Sequence, residues 1–194
     1  ELGHDIQTQN FTVVGVGDMA GDVFGNGMVL SKATQLIGAF NHLHIFCDPT
    51  PDPKTTWIER KRLFDEVKGW GDYNTKLLSK GGRIFLRTDK SLKLTPEIQK
   101  AFGLTNSEVA PADLMKAMLS VPCDLLYFGG IGTYIKGSQQ THADAGDRAN
   151  DALRLDAHEV HARVIGEGAN LGITRKARVE LSQAGIKLNA DFID

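Results

Sequence analysis

Three glycine-bearing stretches and one carboxylate carry the spacing that suits ligand chemistry. Gly15, Gly17 and Ala20 stand in G-x-G-x-x-A order at the end of the apolar run Phe11–Val16. In a dinucleotide-binding turn the first glycine permits a tight bend from strand to helix. The second lets a pyrophosphate approach bare backbone, and the small third residue lets helix and strand pack closely. The N-terminus of the next helix then offers free N–H groups and the positive end of its dipole to phosphates. A purely structural turn uses the same glycines, but a strand before and a helix after favour the nucleotide reading. Gly129-Gly130-Ile131-Gly132-Thr133 follows the run Asp124–Phe128, and Gly166-Glu167-Gly168-Ala169-Asn170 follows Arg163–Ile165. Loops after strands line the ligand crevice of an open α/β sheet, while a plain turn explains Gly129–Gly132 equally well. Asp48 closes the run His42–Cys47, read as the second strand. A carboxylate there hydrogen-bonds adenosine ribose hydroxyls and favours NAD over NADP. The competing reading of Asp48 is a turn residue before Pro49.

These residues need strands and helices in alternation to hold them. Val23, Phe24, Met28, Leu30, Ala33, Leu36 and Ile37 recur at mostly helical spacing, with Gly38 as a C-terminal cap. Gly25 and Gly27 weaken that helix unless backbone must approach closely there. Thr56–Val67 has one charged and one apolar face and reads as a surface helix; Lys54, Arg60, Lys61 and Arg62 near the ribose end read as a solvated face, with tolerance of a 2′-phosphate as the alternative. Arg83–Arg87 is a further strand. Thr95-Pro96 and Pro111 start two more helices, Thr174 caps a third over Arg175–Ala184, and Ile186–Leu188 begins a last strand. Gln139–Arg154 is polar and hard to assign; its His142, Asp144 and Asp147 complete no zinc spacing, and His158-Glu159-Val160-His161 falls one residue short of H-E-x-x-H. The alternation predicts an α/β fold with a doubly wound, largely parallel Rossmann-like sheet and helices on both faces.

Composition bounds the rest. The 194 residues suit a single α/β domain, and a net charge of −2 gives no general affinity for nucleic acid or an acidic membrane. No apolar run reaches transmembrane length and no signal-peptide pattern is present. Cys47 and Cys123 sit beside apolar runs and read as buried reduced thiols of a cytoplasmic protein, with a disulfide between them as the alternative. A start at Glu1 and a stop at Asp194 without a terminal signature suggest a piece of a longer chain.

Four segments together resemble the cofactor domain of the amino-acid dehydrogenases, most closely the large bacterial NAD-dependent glutamate dehydrogenases. They are VGVGDMAGDVFGNGMVLS (14–31), LLYFGGIGTYIK (125–136), GDRANDALR (146–154) and VIGEGANLGIT (164–174). The resemblance implies oxidative deamination of L-glutamate to 2-oxoglutarate and ammonia, with hydride passing to NAD. It assigns Gly15, Gly17, Asp18, Met19 and Ala20 to the pyrophosphate loop and Asp48 to the ribose. It sets Gly129 and Gly130 beside the nicotinamide and Asn170 on its carboxamide, a pairing in which an amide both donates and accepts. Smaller glutamate dehydrogenases usually carry Asn at the position of Asp18; a carboxylate beside a pyrophosphate is awkward, so phosphate contacts fall to backbone N–H groups. It also implies a substrate domain outside residues 1–194, no catalytic residue within them, inactivity of this piece alone, and a homo-oligomeric full-length enzyme. Lys32 and Lys136 read as surface residues.

Two other classes use similar glycines. A non-catalytic nucleotide-binding regulatory module would share every motif above. An S-adenosylmethionine-dependent methyltransferase would place an acid just before Gly15, where this chain has Val13 and Val14. A P-loop NTPase would need a Gly-Lys-Ser/Thr that is absent.

Overall fold

The computed structural model describes residues 2, 3, 5–169 and 171–190. Phe11–Val16 forms β1, buried along almost its whole length, and α1 (Asp22–Val29) follows the glycine turn. The helix stops earlier than its apolar stripe predicts, because Thr34–Phe40 is a strand, β2, parallel to β1. Helical spacing misleads here: a strand buried on both faces reads as a continuous apolar run and carries no period of its own. Ser31 marks the break, its hydroxyl donating to the Ile6 carbonyl at 2.5 Å and accepting from Ala33 N–H at 3.0 Å. The glycine-rich turns of α1 serve close approach, since a Cβ on Gly25 would lie 2.4 Å from the Met19 carbonyl oxygen and 2.5 Å from the Phe64 ring.

His44–Cys47 is therefore the third strand, β3, and it is antiparallel to β2. The hairpin between them is set by Asn41, whose Oδ1 accepts from Leu43 N–H at 2.8 Å and His44 N–H at 2.6 Å. Next come α2 (Pro53–Asp65), capped by Asp52, and β4 (Arg83–Leu86), antiparallel to β3. A short pair, β5 (Leu92–Lys93) with β6 (Glu108–Val109), brackets α3 (Pro96–Phe102), and α4 (Pro111–Ser120) leads to β7 (Leu125–Phe128). The stretch unassigned from sequence, Gln139–Arg154, holds the one-turn α5 (His142–Ala145) and is flanked by β8 (Ile135–Lys136) and β9 (Leu155–Asp156), which pair in parallel. β10 (Val164–Glu167), α6 (Arg175–Gln183) and β11 (Lys187–Ala190) complete the order.

The main sheet has seven strands in the order β11-β10-β7-β1-β2-β3-β4, and β3 alone among the described residues runs against the others. Its two faces bury separate cores. One holds Val13, Phe24, Leu36, Phe46, Leu63 and Trp70 under α1 and α2; the other holds Val14, Ile37, Phe102, Met118, Leu126 and Leu181 under α3, α4 and α6. Adjacent residues such as Val13 and Val14 point to opposite faces, as the pleat requires. This is the doubly wound, largely parallel Rossmann-like architecture, with an antiparallel hairpin inserted at one edge. Both cysteines are free and buried. Among the described residues no helix is long and apolar enough to cross a membrane.

Candidate functional site

The C-terminal ends of β1, β2, β4 and β7 share one edge of the sheet, and there they enclose a cleft of about 430 Å³ lined by Gly17, Asp18, Asn41, Arg87, Gly129 and Gly130, among others. That size is within the range of small-molecule sites. The turn at its floor is tightly determined. Gly17 N–H donates to the Phe40 carbonyl at 2.8 Å, and the buried Trp70 indole N–H donates to the Gly17 carbonyl at 2.9 Å. Gly17 has φ +152°, a conformation that side chains rarely adopt. Phe24 explains the glycines in packing terms. A Cβ on Gly15 or Gly17 would sit 2.5 Å from its ring, and one on Gly129 would sit 2.7 Å from its Cα. The bare backbone thus seats an aromatic ring of α1 beneath the cleft, in addition to any ligand above.

The remaining residues of the turn divide between core and cleft. Met19 is fully buried in the core and Ala20 is half-buried behind the turn. Asp18 faces the cleft, its Oδ2 accepting from the Asn41 amide at 2.5 Å. Gly21 forms the N-cap of α1 in an extended conformation, and among the described residues no side chain caps that helix end. The first-turn N–H groups are therefore available to an anion. Asp22 in the same turn complements the helix dipole and opposes such an anion.

The second glycine loop is braced by the polar stretch behind it. Gly129 N–H donates to the Val16 carbonyl at 2.9 Å, which ties the two loops together. Asp147 Oδ2 accepts from Thr133 N–H at 2.8 Å and from the Asn150 amide at 2.6 Å. The buried Arg154 donates from Nε to the Thr133 carbonyl at 2.8 Å, from Nη2 to the Asp147 carbonyl, and from Nη1 to Asp151 at 2.5 Å. Burial pushes the Asp147 carboxyl up, yet the bonds from Asn150 and Thr133 and the charge of Arg154 hold it below the usual carboxylate range. Asp147 is thus part of a loop brace, His142 Nδ1 lies 3.1 Å from Arg154 Nη1, and Asp144 instead caps α5 through Thr141. Lys136 is buried in an ion pair with Asp156, a correction to its surface assignment that a single lysine in an apolar run could not reveal.

The third loop closes on the same edge, with Gly168 and Ala169 N–H both donating to the Phe128 carbonyl at 3.0 and 3.1 Å. Leu171 follows with φ +77° and an exposed side chain. Asn170, assigned to the nicotinamide carboxamide, lies outside the described residues.

Asp48 is not brought to this cleft. Because β3 runs against β2, its end lies beside Ile37, whose carbonyl accepts from Asp48 N–H at 3.0 Å. That is three residues back from Phe40, or roughly 10 Å along the strand. Asp48 is fully buried and accepts from Ser79 N–H at 3.0 Å and from the Ser79 hydroxyl. The assignment fails on strand direction: the residue following the true β2 is Asn41. Arg60, read as a solvated cation, is likewise buried, donating to the carbonyls of Met28 at 3.3 Å and Thr34 at 3.1 Å. The sequence reading missed Asn41, Trp70, Phe24 and Arg87. Asn41, three residues before His44 and between two apolar runs, is the one with a local signal, that of a hairpin turn.

The chain is similar throughout its length to known proteins. The family model described as bacterial NAD-glutamate dehydrogenase, catalytic domain, matches residues 1–194. The NAD-specific glutamate dehydrogenase of Halomonas elongata is 54% identical over 194 residues and that of Pseudomonas aeruginosa is 53% identical over 195. The one from Mycobacterium tuberculosis is 50% identical over 201 residues. Each match covers 100% of this chain and 12% of the relative, so the chain spans about an eighth of their length. Among solved structures, the leucine-bound hetero-hexameric glutamate dehydrogenase from Thermus thermophilus superposes with a TM-score of 0.47 at 15% identity, covering 97% of this chain and 31% of that one.

Proposed function

The chain belongs to the bacterial NAD-glutamate dehydrogenase family, and we propose that residues 1–194 are a single NAD-binding domain of such an enzyme. The observation that carries this reading is the convergence of Gly17, Asp18, Gly129 and Gly130 on one cleft above the uncapped N-terminus of α1. The donor set fits a dinucleotide: bare backbone and first-turn N–H groups for a pyrophosphate, with a polar rim at the end of β2. Gly15, Met19 and Ala20 support this site from behind, by packing and by shaping the turn. Gly129 and Gly130, braced by Asp147 and Arg154, hold the edge where the nicotinamide end would lie, and Asn170 is retained for its carboxamide.

When bound, NAD supplies the hydride acceptor for oxidation of L-glutamate to 2-oxoglutarate and ammonia. This chain orients that cofactor and shields one side of it. Glutamate recognition and the proton transfers fall to parts of the full-length enzyme outside residues 1–194, an oligomer in this reading. Closure of those parts against the cleft would exclude water.

Isothermal titration of residues 1–194 with NAD, NADP and S-adenosylmethionine tests the proposal. NAD is expected to bind, and the same preparation is expected to oxidise no glutamate. Preference for S-adenosylmethionine would overturn the class, and turnover by the isolated chain would overturn the division of labour.

A further inference from the structure

We infer that Asp18, held in place by Asn41, recognises the adenosine ribose and excludes a 2′-phosphate, the role that strand direction denies to Asp48. The inference rests on the cofactor reading above and adds the residue that sets NAD against NADP.

Four observations lead to it. First, β2 ends at Phe40, and the next residue is an amide, Asn41. Its Oδ1 is committed to Leu43 and His44 N–H at 2.8 and 2.6 Å, and its Nδ2 to Asp18 at 2.5 Å. Asn41 thus positions a carboxylate and does not replace one. Second, the Asp18 carboxylate lines the cleft with acceptor capacity to spare. Oδ2 takes the Asn41 bond, and Oδ1 has a long 3.4 Å contact with Ala20 N–H. Two carboxylate oxygens offer about four lone-pair sites, enough for a vicinal diol as well.

Third, the carboxylate is confined. A Cβ on Gly69 would lie 3.0 Å from Asp18 Oδ2, so backbone closes in on that side. Trp70, the next residue, fixes Gly17 through its indole N–H. Fourth, a cation at this end of the cleft is already in place. Arg87 follows β4, lines the cleft and donates from Nη1 to the Asn41 carbonyl at 3.1 Å. With Asp18 charged, a ribose diol finds acceptors and a 2′-phosphate meets a like charge. Without that charge, Arg87 would face the phosphate unopposed. Discrimination then comes from a repulsive element built against the wrong partner.

The test uses the full-length enzyme, with KM, kcat and dissociation constants measured for NAD and NADP. Asp18→Asn is nearly isosteric and is expected to lower the NAD-over-NADP preference by roughly tenfold or more. Most of the change should lie in KM, because Asp18 is at the adenosine end. Adding Arg87→Gln should remove the gain toward NADP, Asn41→Ala should give a smaller shift in the same direction, and Asp48→Asn should give none. Asp18→Ser substitutes if Asp18→Asn melts early. A folded Asp18 variant with unchanged preference overturns the inference while leaving the cofactor reading intact. Wild-type enzyme that binds neither dinucleotide overturns the cofactor reading and the inference with it.

Discussion

The two ends of β2 carry similar side chains put to opposite uses. At the C-terminal end, Asp18, Asn41 and Arg87 meet around a cleft, and the carboxylate keeps acceptor capacity toward it. Toward the other end, Asp48 and Arg60 are sealed between the sheet and α2. Burial pushes the Asp48 carboxyl up, against two bonds from Ser79 and the nearby Arg60 charge that pull it down. Burial likewise pulls the Arg60 guanidinium down to about 10, against the electrostatic influence of Tyr73 and Asp48. Arg60 spends its donors on the carbonyls of Met28 and Thr34 and the Thr56 hydroxyl, joining α2 to the end of α1 and the start of β2. The lesson is that an acid near a cation says little by itself. Desolvation, and whether any hydrogen-bonding capacity is left over, separates a binding group from a structural one.

Gly17→Ala is the change expected to damage the cleft end most. Its Cβ would lie 2.5 Å from the Phe24 ring at φ +152°, so overpacking and backbone strain combine. Together they should cost about 3 kcal/mol or more in denaturant unfolding, with cofactor binding lost in the same variant. A stable, NAD-competent Gly17→Ala protein would show that Phe24 can yield and that packing does not fix the turn.

At the sealed end, Arg60→Met should cost about 2–3 kcal/mol, because it orphans two carbonyls and leaves Asp48 buried without its cation. NAD affinity of the folded protein should stay unchanged. A variant that keeps its stability but loses NAD would reverse the comparison, making Arg60 part of the ligand site.

The cleft was legible where local pattern and tertiary role coincide. β1, β7 and β10 are buried runs ending in glycine loops, and the turn before α1 has one physical solution. The other edge was not, for two reasons. β2 is buried on both faces and shares its leucine and isoleucine spacing with a helix, so the true second strand was absorbed into α1. The hairpin at Asn41 then reversed the direction of His44–Cys47 and moved Asp48 away from the crevice, and no residue within that strand encodes its direction. Among Arg60, Lys61 and Arg62, a charge pattern cannot say which cation turns inward. The brace from Asp147 and Arg154 to Thr133 spans up to 21 residues and has no periodicity to find. Asp18 shows the reverse case: its departure from the usual asparagine was visible, but its use depends on Asn41, which only the fold brings near.

Asp147→Ala probes the cleft end more gently. Thr133 N–H and the Asn150 amide lose their acceptor, which should cost about 1–2 kcal/mol and loosen the Gly129–Thr133 loop. NAD should bind several-fold more weakly, as titration would read. The folded pKa of Asp147 lies below the ordinary value of 3.8. The brace therefore contributes fully above that value and fades as pH falls through the lower, folded one. Wild type and variant should converge in stability only in strong acid.

Asp48→Asn should have the smallest effect, and its pH dependence carries the opposite sign. The carboxyl is raised above 3.8 in the folded protein by burial, and its Oδ2 has no hydrogen-bond partner among the described residues. Between 3.8 and the higher folded value the unfolded chain ionises Asp48 first, so wild type loses stability as pH rises through that window. Asparagine keeps an acceptor for Ser79 and never pays for a buried charge. The variant should therefore match wild type near pH 3 and equal or exceed it at neutral pH, by about 1 kcal/mol or less. Denaturant unfolding at both pH values reads the difference. A loss above about 2 kcal/mol at neutral pH would mean that attraction to Arg60 outweighs desolvation, and the sealed end would then be held by that longer-range attraction.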